Sequence, residues 1–380
     1  MHILIAPNAF KNSLNATKVA EAIRSGLQKS KLNCTTVCFP IADGGDGTAE
    51  LLIEYLKGVK IAVQAEDPLG RSIQSYIGWV ENTKTAIIEL ASASGLKLLN
   101  KDEYDPLQTS TGGTGDLFLV ALNLNPEKII FCIGGSATVD GGTGILKKLG
   151  VHFYDKEKNE LDAKPEALRS LYTIDISALD KRINNVKIEI LCDVENVLLG
   201  TEGAAATFGP QKGADPEKVK ELESFLQIFR EVILKDFKKD ISTIKYGGAA
   251  GGVSAGLNAL LNAELVNGID QFLDITEFDK ELAITDLVIT GEGSLDETTL
   301  KGKAPFGVAA RARKRSKKVI GIGGSIPATI TSKFTSYFDR LVSINEGITD
   351  IDIAMKKTFE NLQSTAERLG DEIYFSNVQN

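Results

Sequence analysis

Two glycine-rich stretches combine backbone that can approach an anion closely with side chains that can bind a cation or accept a proton. Residues 134–144 follow the apolar run 128–133, and residues 291–296 follow the apolar run 286–290. In open α/β sheets, ligands bind beyond the carboxyl ends of the strands, and glycine amides there can hold phosphate. The aspartate and hydroxyl side chains of both stretches could also hold Mg²⁺ or accept a substrate proton. The pattern therefore points to phosphoryl transfer.

Two further loops carry carboxylates or hydroxyls beside glycine. Residues 43–48 place Asp43 and Asp46 among three glycines, which fits either a ligand loop or a capped turn with solvated aspartates. Residues 110–116 precede an apolar helix and fit either an anion site or a helix cap. Both alternatives stay open at this point.

Three single residues complete the set of candidates for phosphoryl transfer. Asp193 follows the predicted strand 186–191. Lys212 stands between glycines in a loop, as a phosphate contact or as an exposed loop lysine. Lys303 comes just before Pro305, which suits the first turn of a helix whose N-terminus would face anions. Charge neutralisation, positioning and proton removal thus all have candidate residues.

The common nucleotide-binding motifs do not describe these loops. A Walker A motif ending at Lys303 would need glycine where Glu297 stands and serine or threonine where Ala304 stands. A dinucleotide motif would need glycine in place of Asp296 or Ile326. The sequence therefore argues against both the P-loop and the dinucleotide-binding classes.

Composition limits the class of protein. The chain has 380 residues and a net charge of -8, which argues against nonspecific binding to nucleic acid or to an anionic membrane. The two histidines and four cysteines, with no C-x-x-C pair, argue against a serine–histidine–aspartate triad, a zinc site or disulfides. No signal peptide or membrane-spanning run is visible, so we expect a cytoplasmic protein.

Apolar patterning predicts parallel α/β structure at both ends of the chain and a different middle. Near the N-terminus a strand–helix–strand–helix order predicts a parallel sheet. Between residues 60 and 90 the turns are too short for crossover helices, so those strands should pair antiparallel. The predicted strands are 3–6, 36–41, 60–65, 72–81, 84–90, 128–133, 186–191, 287–290, 318–322 and 341–345. The predicted helices after residue 285 are 304–315, 326–337 or part of it, and 350–369.

This arrangement predicts two α/β domains, one inserted in the other. The first, residues 1–60 with 285–380, should be Rossmann-like or flavodoxin-like with a parallel sheet, and the second, residues 61–284, should have a mixed sheet. The cleft between two such domains is the natural place for an active site.

Taken in order, the loops resemble those of the glycerate kinase family of the first type, bacterial enzymes that phosphorylate D-glycerate with ATP. The resemblance covers essentially the whole chain, and so many motifs in one order make chance similarity improbable. It implies a two-domain α/β fold with the active site between the domains. The matching stretches are residues 5–14, 42–48, 67–71, 134–142, 192–194, 208–214 and 289–303.

The resemblance implies ATP and Mg²⁺ as cofactors, glycerate as the small-molecule substrate, and 2-phosphoglycerate as the product. Asp193 is the first choice to orient or deprotonate the acceptor hydroxyl, with Lys11 and Asp296 as further catalytic candidates. Magnesium is assigned to Asp43, Asp46 and Asp296, and ATP or its phosphates to Gly134, Gly135, Gly291, Gly293, Lys212 and Lys303. Glycerate is assigned to Asp43, Arg71, Ser136 and Thr138, although for Arg71 a surface ion pair is the alternative.

Three departures from the family pattern leave alternatives open. Asn8, Gly112 and Val139 stand where the family usually has aspartate, tyrosine and asparagine. Asn8 cannot supply the charge of an aspartate, so a related hydroxy acid or sugar acid as acceptor, or a regulator without catalysis, are alternatives. Phosphorylation at the 3-hydroxyl and the choice between monomer and homodimer are likewise undecided by the sequence.

Overall fold

The computed structural model describes residues 1–297, 299, 302–346 and 350–378. Its contacts divide the chain into two compact units, Met1–Asp43 with Ile269–Asn380 and Gly44–Gly268. We call them the terminal unit and the inserted unit.

The strands carry the apolar segments on which the sequence analysis rests, and most of their residues are buried. Strands of both sheets end at the candidate loops. The strands are β1 His2–Pro7, β2 Thr35–Cys38, β3 Val59–Glu66, β4 Ser72–Val80, β5 Thr85–Glu89, β6 Lys128–Cys132, β7 His152–Tyr154, β8 Thr173–Asp175, β9 Lys187–Cys192, β10 Glu264–Asn267, β11 Leu287–Ser294, β12 Lys318–Ser325 and β13 Arg340–Ser343.

Several helices begin at the signals that the sequence carries. Asn15 accepts a hydrogen bond from the Lys18 amide and so caps the first helix. Pro305 lies in the first turn of the helix that follows Lys303. The helices are α1 Ala16–Lys29, α2 Thr48–Tyr55, α3 Ala91–Ser94, α4 Gly112–Asn123, α5 Thr143–Lys148, α6 Ala204–Phe208, α7 Pro216–Phe237, α8 Val253–Leu261, α9 Gly268–Ile275, α10 Phe278–Ala283, α11 Ala304–Lys314, α12 Ser332–Tyr337, α13 Ile351–Lys356 and α14 Thr358–Val378.

The terminal unit is built on a parallel sheet in the order β13-β12-β11-β1-β2. β1 lies between β11 and β2, and Pro7 at its carboxyl end is opposite Gly291 of β11. Apolar residues of the strands pack with those of α1 and α14 into one core. The strand order reverses between β11 and β1, because the chain continues outward in opposite directions from these two strands. In such sheets this switch point opens a crevice for ligands.

The inserted unit is built on a mixed sheet in the order β10-β9-β6-β5-β4-β3. β3, β4 and β5 pair antiparallel, which confirms the prediction for residues 60–90. β5, β6, β9 and β10 pair parallel, so their carboxyl ends share one edge. The α/β fold class, with one parallel and one mixed sheet, is therefore confirmed.

Some element and unit bounds differ from the predicted ones. The last helical stretch is divided at Lys357 into α13 and α14, whereas α12, Ser332–Tyr337, is part of the predicted stretch 326–337, as expected. The units divide after Asp43 and after Gly268, whereas the sequence suggested residues 60 and 284. The first boundary precedes α2 because this helix packs against β4 and β5 of the inserted sheet. As a division into independently folding domains, the two-domain arrangement stays a prediction.

None of the helices in the described part of the chain is both long enough and apolar enough to span a membrane.

Candidate active site

A cavity of about 650 Å³ lies in the terminal unit, beyond the carboxyl ends of its strands. Residues that follow β1, and residues at or just after the ends of β11, β12 and β13, line the cavity. Its polar wall includes Lys11, Glu292, Ser294 and Lys303. Because β1 and β11 are the two strands at the switch point, the cavity occupies the position where open α/β sheets bind ligands. The structure thus brings the catalytic candidate Lys11 and the predicted phosphate contacts Gly293 and Lys303 to one cavity.

Glu292 is a titratable residue of this cavity that the sequence did not single out. It is buried, with 8% exposure, and its Oε1 accepts a hydrogen bond from Thr299 Oγ1 at 2.8 Å. Burial raises the pKa of Glu292 to about 7, although Lys303, the Thr299 hydrogen bond and Lys11 favour the charged form and Asp43 opposes it. A carboxyl group that changes charge near neutral pH can exchange protons with a bound ligand.

Replacing Glu292 with glutamine should change how stability depends on pH. The folded-state pKa of about 7 lies above the ordinary glutamate value of about 4.3, so between these values the folded state binds more protons than the unfolded state. The stabilising contribution is therefore full at low pH and is lost as pH rises to about 7. Glu292→Gln should be more stable than wild type at pH 8, by up to about 3 kcal/mol.

Urea unfolding of the ligand-free protein at pH 5 and pH 8 measures this effect. The variant should gain stability relative to wild type between the two pH values. Glu297→Gln, which removes an exposed carboxylate of the same loop, should show no such gain. An equal gain in stability of both variants between pH 5 and pH 8 would contradict the claim that burial raises the pKa of Glu292.

Asp43 lies at the beginning of α11 in the terminal unit. It is buried, and its Oδ2 accepts from the Ala304 amide at 3.3 Å and from Asn8 Nδ2 at 3.4 Å. A carboxylate at a helix N-terminus interacts favourably with the helix dipole. The side chain of Asn8 can donate to Asp43, which an ionised aspartate could not do. The metal and substrate roles of Asp43 stay predictions.

The glycines of the stretches 134–144 and 291–296 are required for different structural reasons. A Cβ on Gly291 would lie 1.9 Å from the carbonyl oxygen of Ile322, and one on Gly134 would lie 2.4 Å from the Cα of Gly45. Close backbone packing therefore explains these two glycines. Among the described residues, a Cβ on Gly293 would meet nothing closer than 3.7 Å, and Gly293 lines the cavity. Its backbone is thus available to a ligand. The phosphate roles of these glycines and of Gly135 remain predictions.

In the inserted unit, three predicted residues come together around a buried lysine. Lys212 Nζ donates to Ser136 Oγ and to the carbonyl oxygen of Thr138, both at 2.7 Å. Lys212 is 3% exposed, so it is not the exposed loop lysine that was the alternative. Ser136, in the loop after β6, and Lys212 are 76 residues apart in the sequence. The lysine therefore joins two distant segments of the chain.

Asp46 belongs to a charged cluster at the end of β5. Its Oδ1 accepts from Lys97 Nζ at 2.7 Å. Burial raises the pKa of Glu89 to about 7, and a hydrogen bond with Asp46 adds to the shift. The amides of Gly47 and Ala49 donate to Glu89 Oε2 at 3.0 and 3.1 Å. Glu89 was missed by the sequence analysis; the available signal was an acidic residue at the end of an otherwise apolar strand.

Asp193 is the first residue after β9, and it is half-buried. β9 and β6 are parallel neighbours, with Leu191 opposite Cys132. The loop that begins at Gly134 therefore follows the strand next to the one that Asp193 follows. Both predicted features lie at the same edge of the inserted sheet, and their roles stay predictions.

The guanidinium group of Arg71 contacts two carboxylates of the inserted unit. Nε donates to Asp67 Oδ2 at 2.5 Å, and the two terminal nitrogens donate to the carboxylate of Glu103. Arg71 is about half exposed, with 49% side-chain exposure. A glycerate carboxylate would have to displace one of these partners, so the geometry favours the surface ion pair that was the alternative. A substrate role for Arg71 stays a prediction.

No three histidine, cysteine, aspartate or glutamate side chains of the described residues are grouped so that they could hold a metal ion. Asp296, half-buried, accepts from Ser294 Oγ at 3.2 Å. Magnesium is usually held by only one or two carboxylates together with phosphates and water. Asp43, Asp46 and Asp296 can each supply such a carboxylate, so the donor chemistry fits Mg²⁺ bound with a nucleotide.

The sequence of the chain is similar to those of known proteins along nearly its whole length. The model of the glycerate kinase family matches residues 3–374. The chain is 41% identical over 369 residues to a glycerate kinase of Bacillus cereus, covering 97% of each chain. It is 40% identical over 362 residues to a glycerate 2-kinase of Escherichia coli, covering 95% of each.

The fold also matches a crystal structure described as a glycerate kinase 2 from Salmonella typhimurium LT2. The TM-score is 0.83 at 40% sequence identity, and the match covers 99% of both chains. The resemblance first seen in the loops thus extends over sequence and fold, and the chain belongs to the glycerate kinase family.

Proposed function

We propose that the protein transfers the γ-phosphoryl group of ATP to the 2-hydroxyl of D-glycerate, giving 2-phosphoglycerate and ADP. The observation that carries the proposal is the cavity at the switch point of the terminal sheet, with Lys11 and Lys303 on its wall. Similarity to proteins named glycerate kinase and glycerate 2-kinase supports the choice of acceptor and product.

The terminal unit supplies the binding site for the phosphates of ATP. The volume of about 650 Å³ is in the range of small-molecule and cofactor sites. Lys303 stands at the N-cap of α11, so its ammonium group and the helix N-terminus together favour negative charge. Lys11 adds a second cation, and Gly293 leaves room for the phosphates to approach the backbone. These groups reduce the charge repulsion that opposes phosphoryl transfer.

Asp193 prepares the acceptor. We assign it to orient the hydroxyl of glycerate and to take its proton as the oxygen attacks the γ-phosphorus. The O–H bond breaks, the new O–P bond forms, and the bond from the γ-phosphorus to the bridging oxygen of ADP breaks. An aspartate has this function in protein kinases, where it accepts the proton of the substrate hydroxyl.

Asp43, Asp46 and Asp296 are the proposed carboxylates for Mg²⁺. When bound, the ion supplies neutralisation of the phosphate charge. Asp43 also has a role without the ion. It accepts a hydrogen bond from the Ala304 amide at the beginning of α11 and thereby fixes the helix that presents Lys303.

The purified protein with ATP, Mg²⁺ and D-glycerate tests the proposal. ADP release is expected only when glycerate is present, and phosphorus NMR should identify 2-phosphoglycerate. A 3-phosphoglycerate product would overturn the regiochemistry. Faster turnover of another hydroxy acid or a sugar acid in a panel would change the acceptor, and absence of turnover with every acceptor would overturn the kinase proposal.

A further inference from the structure

The buried lysine of the inserted unit joins two segments of the chain, but these contacts do not compensate its charge. Lys212 ends the short turn Pro210–Lys212 and is 3% exposed. Its ammonium group donates two hydrogen bonds, to Ser136 Oγ and to the carbonyl oxygen of Thr138. Both partners are neutral, whereas a buried ammonium normally needs an opposite charge as partner, because its removal from water costs several kcal/mol.

Asp140 is the nearby opposite charge, but its hydrogen bonds are directed elsewhere. Asp140 Oδ2 accepts from the amide and the hydroxyl of Thr111 at 2.8 and 2.7 Å, and Oδ1 accepts from the Gly142 amide at 3.0 Å. The field of Asp140 favours the ammonium form of Lys212, yet burial outweighs it and lowers the pKa of Lys212 to about 7. The charge of Lys212 is therefore only partly compensated.

Two hydroxyl groups of the same loop have unused hydrogen-bonding capacity. Thr138 Oγ1 is fully buried, and it has no hydrogen-bond partner among the residues that the structure describes. The oxygen of Ser136 accepts from Lys212, so its own O–H remains able to donate to a ligand. A buried hydroxyl without a partner costs about 1–3 kcal/mol. Gly135, next to Ser136, is exposed, which gives solvent access to this part of the loop.

We propose that Ser136, Thr138 and Lys212 form a subsite for the carboxylate group of the acceptor. This inference rests on the proposed function and names the part of the substrate that the inserted unit recognises. The hydroxyls donate to the carboxylate oxygens, and the ammonium group of Lys212 behind Ser136 supplies the charge. The subsite thereby selects hydroxy acids over uncharged alcohols.

The charge balance favours a carboxylate over a polyphosphate. The subsite offers one cation, Lys212, and the negative charge of Asp140 nearby compensates part of its positive charge. A carboxylate with a single negative charge suits this field, whereas a triphosphate with several charges would be repelled by Asp140. Two lysines, Lys11 and Lys303, are available for phosphates in the cavity of the terminal unit. We therefore assign Lys212 to the carboxylate instead of to the phosphates of ATP.

Lys212→Met and Thr138→Val test the subsite. Loss of a charged donor should raise KM for glycerate by about tenfold to a hundredfold, while KM for ATP changes less than about threefold. Thr138→Val should raise KM for glycerate about three- to tenfold by the same reasoning. Because Thr138 Oγ1 has no hydrogen-bond partner among the described residues, this variant loses no such bond. It should unfold at the wild-type temperature or above, since an unpaired buried hydroxyl is destabilising.

The pH dependence of KM separates binding from a purely structural role. Protonated Lys212 binds the anion, so KM of wild type for glycerate should rise above pH 7, at most about tenfold per pH unit. Lys212→Met should lose this rise. Lys218→Met is the matched control, because Lys218 lies in the adjacent helix α7 and pairs with Asp105 on the surface; its KM values should stay within about twofold of wild type.

The inference is overturned if folded Lys212→Met or Thr138→Val keeps the wild-type KM for glycerate, or if KM for ATP rises instead. If Lys212→Met does not fold, Thr138→Val alone decides. If wild type shows no turnover with glycerate, the proposed function fails first. Calorimetric binding of D-glycerate to wild type and to Thr138→Val then decides the subsite separately: a weaker Kd in the variant supports it, and equal or absent binding refutes it.

Discussion

Asp193→Asn is expected to lower kcat by about a thousandfold and to leave KM for glycerate within about threefold of wild type, since general acid–base groups contribute 10²–10⁴ in rate. Asparagine keeps the size of the side chain and can still contact the acceptor hydroxyl. It cannot take the proton, so the step that forms the new O–P bond loses its base. A loss in kcat without a comparable loss in affinity identifies an interaction made in the transition state.

The position of Asp193 is the structural reason for this expectation. Asp193 directly follows β9, and the Gly134 loop directly follows the neighbouring strand β6. Ser136, Thr138 and Lys212 belong to that loop or contact it. An acceptor whose carboxylate lies against this loop would present its 2-hydroxyl one carbon away, at the same sheet edge as Asp193.

The control for Asp193 is two residues further along the chain. Glu195→Gln removes one negative charge as well, but Glu195 is exposed and pairs with Lys245 at 2.8 Å. Exposed ion pairs contribute little, so steady-state kinetics of Glu195→Gln should match wild type. Turnover of Asp193→Asn near the wild-type rate, or an equal loss in both variants, would remove the assigned role of Asp193.

The positions of strand ends could be predicted from the sequence, but which strands lie side by side in a sheet could not. Apolar runs followed by glycine placed the stretches 134–144 and 291–296 after the ends of strands. β6 confirms this for residues 134–144, whereas β11 continues through the first four residues of the second stretch, to Ser294. The order of strands in a sheet depends on packing between distant segments. The pairing of β9 with β6, which brings Asp193 beside the Gly134 loop, is such a long-range effect.

Two site residues illustrate the same limit. Glu292 was visible between two glycines, but its burial depends on the continuation of β11 to Ser294 and on its pairing with β12. The sequence left open whether Lys212 contacts a phosphate or is an exposed loop lysine. Contacts with Ser136 and Thr138 decide its burial, and they join segments that no local pattern connects.

Lys303→Met is expected to lower kcat/KM for ATP by about a hundredfold to a thousandfold, the usual effect of removing one charged or hydrogen-bonding group that stabilises a transition state. Lys303 lines the cavity at the switch point and lies at the N-cap of α11. Its field also reaches Glu292, where it favours the charged carboxylate. Both effects place the ammonium group where the phosphates of ATP are proposed to bind.

Lys303→Met should fold as wild type does, so a loss in kcat/KM for ATP can be assigned to the missing positive charge. The Lys303 side chain makes no cap hydrogen bond to α11, and methionine preserves most of its length. Lys318→Met is the control, since Lys318 is exposed at the opposite, amino end of β12 and should leave the kinetics unchanged. If Lys303→Met retains wild-type kcat/KM for ATP, or if Lys318→Met loses as much, the phosphates do not bind in the cavity of the terminal unit.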